Sequence, residues 1–237
     1  MVQRIITFAA DKGGVGKTTL AYEIAFTLGA ILVDLDWSGG GATSLWGFDP
    51  RARRRAPLLD ALESRRRPTP YLEAGRPDLV PSHPDWGASD IDPDVLAGEL
   101  RRWTEEWGRP VVIDTHPGFG DKTLGAVRAA DVVAIPVAFR SRELDALEEM
   151  VNELRGFHVV ICPNVVPPIP PLPMLQRMKA IVGTNGVVVG PPISEHRWWA
   201  RRQLRAALTS LPEPGRHANR AATELRTLAN FLDGHRT

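Results

Sequence analysis

The run DKGGVGKTTL, residues 11–20, narrows the possible folds more than any other stretch of this chain. The apolar segment RIITFAA leads into it and a helical pattern follows. Glycines at 13, 14 and 16 let the backbone curl so that its N–H groups converge at a helix start, which suits an anion. The usual phosphate-loop spacing is G-x-x-x-x-G-K-S/T. Counted back from Gly16, Lys17 and Thr18, the first glycine belongs at position 11, where this chain has Asp11, followed by an extra lysine, Lys12. Lys17 is spaced to reach the β- and γ-phosphates of a nucleotide, and Thr18 to offer its hydroxyl to magnesium.

Around this loop, apolar runs alternate with helical patterns. RIITFAA, AILVDLD, PDLVPS, PVVIDT, DVVAIPVA, FHVVICP and GVVVGPP read as buried strands rich in Val and Ile. Helices are expected near 16–28, 92–107, 122–130, 142–155, 171–182, 195–209 and 216–232. Continuous apolar strands alternating with helices predict a doubly wound α/β fold, with a mostly parallel sheet covered on both faces. No linker or repeat interrupts the pattern, so one domain over 1–237 is expected. Ligands of such sheets sit at the carboxyl ends of the strands. The unusual stretches fall there: 11–19, 34–41, 114–120 and 162–168.

Composition removes several function classes. The 237 residues include one cysteine, Cys162, which excludes a disulfide framework and a cysteine-held cluster within one chain. The six histidines never stand at metal-ligand spacing. Residues 5–10 are too short for a secretory leader, and no apolar run approaches the roughly eighteen residues of a membrane span. A reducing, cytoplasmic setting is expected. Net charge is +1, but arginine clusters at 51–67 and 196–226, while acids cluster at 85–106.

The stretch KGGVGKTT resembles the deviant phosphate loop of the ParA/MinD family of ATPases, and the likeness extends over most of the chain, least at 48–76. The family tolerates a non-glycine at the position of Asp11. Its extra lysine, here Lys12, reaches across a nucleotide-sandwiched dimer to the partner's phosphates, a charge-stabilising role that other NTPases give to arginine. The resemblance implies that Gly13, Gly14, Val15, Gly16, Lys17, Thr18 and Thr19 hold the phosphates of ATP. It makes Asp36, in LVDLDWSGG, the residue that positions the attacking water, with Lys12 and Lys17 completing the catalytic set. Asp34 alternates with Asp36 on the strand end and so faces the other way, which suits a structural role. The family pattern D-x-Q-G-x-A-T is not kept: this chain reads Asp36-Trp37-Ser38 and then three glycines. Asp114 ends the strand VVID and, with Thr18 and Asp36, is the implied magnesium set. The family pattern D-T-P-P-G/S has proline where His116 stands; this histidine is a γ-phosphate sensor, a group that titrates near neutral pH, or a bland replacement. Asn164 and Pro192 match the family's adenine contacts.

What the nucleotide controls is a separate question. On a helix over 195–209, Arg197, Arg201 and Arg205 would share one face, flanked by Arg202, a stripe suited to phosphate contacts without sequence reading. The resemblance to ParA-type partition ATPases implies nonspecific DNA binding through this region, an ATP-dependent homodimer and a ParB-like centromere-binding adaptor. It also implies weak, partner-stimulated hydrolysis that drives plasmid or chromosome partition at the nucleoid. No separate DNA-reading domain is expected ahead of the phosphate loop. The arginines of 51–67 read as solvated surface, with DNA as the other reading. The main rival is a MinD-like membrane-associating ATPase whose final helix, with Leu225, Leu228, Phe231 and Leu232, inserts into lipid. A single cysteine argues against the iron-protein branch, and two tyrosines against the tyrosine-kinase branch.

Overall fold

All seven apolar runs become strands of one sheet in the computed structural model, which describes residues 4–49, 56–199, 202, 205–212 and 215–235. They are β1 (Ile5–Phe8), β2 (Ile31–Asp34), β3 (Asp78–Val80), β4 (Val111–Asp114), β5 (Val132–Ala138), β6 (Val159–Asn164) and β7 (Val188–Val189). The order across the sheet is β3-β2-β4-β1-β5-β6-β7, and every neighbouring pair is parallel. From β1 the chain moves toward β2 on one side, and from β4 it crosses β1 to β5 on the other. Such a reversal opens a crevice at the strand ends.

The strands are apolar throughout because both faces are covered. Alternate residues of a strand point to opposite sides. Ile6, Phe8, Leu32, Val112, Val132, Ala134 and Val160 pack on one side with Leu20 and Ile24 of α1 (Lys17–Thr27) and with Leu225 and Leu228 of α9 (Gly215–Gly234). Their neighbours Ile5, Ile31, Val33, Val111 and Ile113 face α5 (Pro93–Trp107) and α6 (Asp121–Ala129) on the other. Val133, Ile135, Val159 and Ile161 meet α7 (Ser141–Glu153) and α8 (Leu172–Asn185). Each fully buried side chain of this size contributes roughly 1.5–3 kcal/mol. Three short helices also lie among these elements: α2 (Ala42–Trp46), α3 (Pro57–Ser64) and α4 (Pro84–Ala88). α5 begins where its sequence signals: Asp92 accepts the N–H groups of Asp94 and Val95 at 2.8 and 3.1 Å, and Pro93 follows.

The helix expected over 195–209 does not form. Among its described residues the chain is irregular, apart from a turn at 197–198 that leads into 3-10 structure at Trp199 and a 3-10 turn at Leu208–Ser210. Distant partners take the backbone groups that an α-helix would use. The Leu208 N–H donates to the buried Glu23 carboxylate at 2.7 Å, the Ala207 N–H to the Gly75 carbonyl at 2.6 Å, and Tyr22 Oη to the Arg205 carbonyl at 2.6 Å. Hydrogen bonds satisfied in this way leave nothing for an i→i−4 ladder. Arg197, Arg202 and Arg205 therefore share no helical face, and Arg201 lies outside the described residues.

α9 anchors this irregular segment through Glu224. Its carboxylate accepts the Ser194 N–H (3.0 Å), the Ser194 hydroxyl (2.7 Å) and Arg220 Nε (3.0 Å), and meets His196 Nε2 at 2.9 Å. Burial works to raise its pKa, but these partners outweigh it and hold the group below its ordinary 4.5. A depressed carboxylate contributes stability above its unfolded pKa and loses it as pH falls. Glu224→Ala is expected to cost about 1–3 kcal/mol at pH 7 in urea denaturation. The gap should narrow below pH 4.5, where the wild type loses the same interaction. Equal stabilities at pH 7 would contradict the assignment.

Candidate functional site

The loop after β1 curls as its glycines allow. Gly14 and Gly16 hold φ of 86° and 90°, in the left-handed region that side chains avoid, and α1 begins at Lys17. Val15 is buried beneath the loop, and its carbonyl accepts Asn164 Nδ2 at 2.8 Å from the end of β6. A Cβ on Gly16 would lie 2.2 Å from that same Asn164 nitrogen, so the third glycine is also a packing requirement. Asn164 thus braces the loop as well as lining its edge. Lys17 is buried: its ammonium donates to Asp114 Oδ1 at 2.8 Å and to the Thr115 carbonyl. Lys12 is exposed and makes no hydrogen bond or ion pair among the described residues.

Three aspartates meet at the ends of β2 and β4, and their surroundings divide their tasks. Asp34 and Asp114 are register partners on adjacent strands, both fully buried. Asp34 is committed inward, accepting the Asp36 N–H (2.9 Å) and the Thr43 N–H (2.6 Å). Burial, together with the neighbouring Asp114, pushes its pKa up to about 7. Burial likewise raises Asp114, opposed by Lys17 and by a hydrogen bond with Thr18. Asp36 moves the other way: hydrogen bonds from Ser38 and His116 overcome burial and hold it below the ordinary carboxylate value. It is an ionised group at neutral pH. Sequence reasoning missed Ser38 and Thr43; hydroxyls within a glycine-rich loop after two acids are the signal that points to them.

The site suits magnesium. Asp114 Oδ2 is buried with no hydrogen-bond partner, which a hard cation's coordination would satisfy. No group of three or more His, Cys, Asp or Glu is placed to hold a metal ion by itself among the described residues. That fits an ion that takes one or two protein carboxylates and completes its shell from phosphates and water. Asp114 and Asp36, with the Thr18 hydroxyl, are the groups present for it.

On the far side, Pro192 is exposed and borders a cleft of about 610 Å³ with Pro167, Pro168 and Ser194. Val165, next to Asn164, is a β-branched residue at φ 52°, a costly conformation of the kind that concentrates at functional sites. The predicted arginines separate here. Arg197 is 91% exposed, whereas Arg202 is 12% exposed and ion-paired with the buried Glu23 at 2.6 Å. Arg205 lies against the Gly47 carbonyl. Sequence reasoning passed over Arg216 and Arg220, exposed one turn apart on α9. Their i, i+4 spacing in an expected helix was the available signal. The leucines of α9, at 225, 228 and 232, are wholly buried. Among the described residues no helix is long and apolar enough to cross a membrane.

The glycine loop after Asp36 offers an internal control. A Cβ on Gly41 would come within 2.7–2.8 Å of the Asp34 carboxylate and of Asp36 Cβ, whereas one on Gly40 meets nothing within 4 Å. Gly41→Ala is expected to destabilise the protein by about 1–3 kcal/mol through overpacking. Gly40→Ala should stay within about 0.5 kcal/mol of wild type in the same urea titration.

Comparisons with known proteins agree with this geometry. A family described as an AAA domain matches residues 3–165. The chain is 30% identical over 171 residues to the chromosome partitioning protein ParA of Myxococcus xanthus, covering 65% of this chain and 58% of that protein. It is 32% identical over 174 residues to the chromosome-partitioning ATPase Soj of Thermus thermophilus, covering 68% and 66%. The matched stretch thus spans about three fifths of the length of these curated relatives. Among solved structures, an alanine variant of McdA from Cyanothece in complex with ATP superposes with a TM-score of 0.77 at 18% identity, over 99% of this chain and 98% of that one. A chain of the MinC:MinD cell division protein complex of Aquifex aeolicus gives 0.69 at 19%, over 99% and 97%. The loop, the three aspartates at the strand ends and these matches together place the chain in the ParA/MinD family of P-loop ATPases.

Proposed function

We propose that this chain acts as one ATPase domain that dimerises on Mg-ATP, holds DNA without sequence preference and releases it on hydrolysis, moving a plasmid or chromosome cargo. The observation that carries the reading is the contrast between the two lysines. Lys17 is buried on Asp114, in place to meet phosphates, while Lys12 stands exposed beside the same loop and has no partner among the described residues. A cation left free at the mouth of a phosphate site is suited to a nucleotide held by a second copy.

In this reading residues 13–19 cradle the phosphates, Asn164 and Pro192 hold the adenine, and Thr18, Asp36 and Asp114 hold magnesium. When bound, the metal would neutralise phosphate charge. Lys17 binds the phosphates, Asp36 orients the attacking water, and Lys12 meets the charge that develops on the partner's nucleotide. Hydrolysis is weak alone and stimulated by a ParB-like adaptor. The relatives named for chromosome partitioning support this output. The burial of the α9 leucines weighs against a membrane-inserting helix.

The DNA surface moves from the expected helix to the cations that are exposed. Arg202 is taken up by Glu23 and the exposed Arg205 lies against the Gly47 carbonyl, while Arg197, Arg216 and Arg220 are exposed around the start of α9. Arg220 and Arg197 have acidic neighbours, Glu224 at 3.0 Å and Glu195 at 3.8 Å, so their attraction for phosphate is tempered. Exposed Arg65, Arg66 and Arg67 form a second basic site after α3.

Two measurements test this function. Lys12→Ala should keep ATP affinity yet lose ATP-dependent dimerisation or lower turnover by about a hundredfold; a variant that assembles and hydrolyses normally would remove Lys12 from the mechanism. Reversing Arg197, Arg216 and Arg220 to Glu should weaken DNA binding at least about tenfold and flatten its salt dependence, while dimerisation persists. Unchanged affinity would shift the surface to Arg65–Arg67.

A further inference from the structure

Every hydrogen bond that Asp36 accepts through its side chain falls on one oxygen. The Ser38 N–H (3.0 Å), the Ser38 hydroxyl (2.6 Å) and His116 Nδ1 (2.9 Å) all reach Oδ1. None of the described residues bonds to Oδ2. A carboxylate held through one oxygen by several donors cannot spin freely, so the other oxygen keeps a defined direction.

The donors differ in what they are attached to. Ser38 belongs to the same glycine-rich loop as Asp36 and would move with it. His116 comes from the end of β4, two residues beyond Asp114, so it alone ties the Asp36 side chain to the sheet. Its own ring is held in turn. It stacks on Trp37 with ring centres 4.2 Å apart and planes 16° apart. Trp37 closes against Gly87, where a Cβ would come within 2.3 Å of the indole. Lys122 Nζ lies 4.9 Å from the Trp37 ring centre, and donates to the Ser89 carbonyl at 2.6 Å. Since the acceptor is a carboxylate, the imidazole must carry its proton on Nδ1 in this contact. Proline, which the related motif has at this position, has no side-chain donor to supply. Both Ser38 and His116 are departures from the family pattern, and both are spent on the same oxygen.

We propose that His116 is a positioning residue for ATP hydrolysis: through Nδ1–H it pins Oδ1 of Asp36 to the sheet and leaves Oδ2 as the oxygen that orients the attacking water. Trp37 acts one step further out, as the plate that keeps the imidazole in plane. The inference rests on the ATPase reading above and on Asp36 as its water-orienting group.

The test compares wild type, His116→Ala, His116→Asn and Asp36→Ala for ATP affinity and single-turnover hydrolysis, with DNA present. His116→Ala is expected to lower kcat about ten- to hundredfold, with KM and ATP affinity within about twofold of wild type. Asn presents an amide N–H near the position of Nδ1 and should restore most of the rate. An alanine variant with the wild-type kcat, or an asparagine variant as slow as alanine, would overturn the proposal. Absence of hydrolysis in wild type would instead bring down the ATPase reading and this inference with it. A second readout needs no turnover. Nitrogen-15 NMR of His116 should show the proton on Nδ1, with the signal changed in Asp36→Ala; a neutral Nε2–H tautomer in wild type would overturn the proposal.

Discussion

The buried ion pair between Lys17 and Asp114, 2.8 Å apart, is the contact on which the rest of the site depends. Neither group belongs in an apolar interior alone; removing one partner of such a pair costs roughly 3–5 kcal/mol because the other is left uncompensated. The pair exists because two separate pieces of chain deliver it to one point. Left-handed glycines let α1 start at Lys17, and the apolar run of β4 ends in Asp114 beside β1. Asp34, register partner of Asp114, brings a second carboxylate into the same buried layer and closes it by capping the loop that follows β2. A buried lysine at the start of α1, a carboxylate oxygen with no hydrogen-bond partner among the described residues and a loop that carries Asp36 are all set by this junction.

Much of this was legible in the chain itself. Val- and Ile-rich runs marked all seven strands, and their lack of polar alternation foretold a sheet covered on both faces, because buried parallel strands need apolar residues on each side. Strand ends with Asp34, Asp114 and Asn164 could be read as one crevice for the same topological reason. That the helix expected at 195–209 does not form was not legible. Arg197, Arg201 and Arg205 have helical spacing in the sequence, but Glu23 and Gly75, more than a hundred residues away, take the backbone N–H groups at 208 and 207. Periodicity within a window carries no information about such distant acceptors. The fate of Arg202 followed from the same hidden partner, since a buried Glu23 claims the nearest guanidinium. Asn164 showed a subtler gap: the motif pointed to it as a base contact, while its bond to the Val15 carbonyl depends on two strand ends meeting.

The departures from the family pattern acquire a shared physical sense in three dimensions. Gly41 is there because the chain after Asp36 passes within van der Waals distance of the Asp34 carboxylate. Ser38 and His116 both serve Oδ1 of Asp36, and Trp37 backs the histidine. One-dimensional motifs register these as isolated replacements, whereas the fold gathers them around a single carboxylate. The same holds for the basic surface: its arginines are the exposed ones, whereas Arg202 is taken by the buried Glu23, and that is a property of the packed chain.

The most direct test of the account is calorimetric titration of the wild-type chain with ATP, in magnesium and in a chelator. One nucleotide per chain, bound at least about tenfold more tightly with magnesium than without, is the result expected from a phosphate loop joined to an unsatisfied buried carboxylate. Binding that ignores the metal, or no binding at all, would contradict the assignment of Lys17, Thr18, Asp36 and Asp114 to one Mg-nucleotide site.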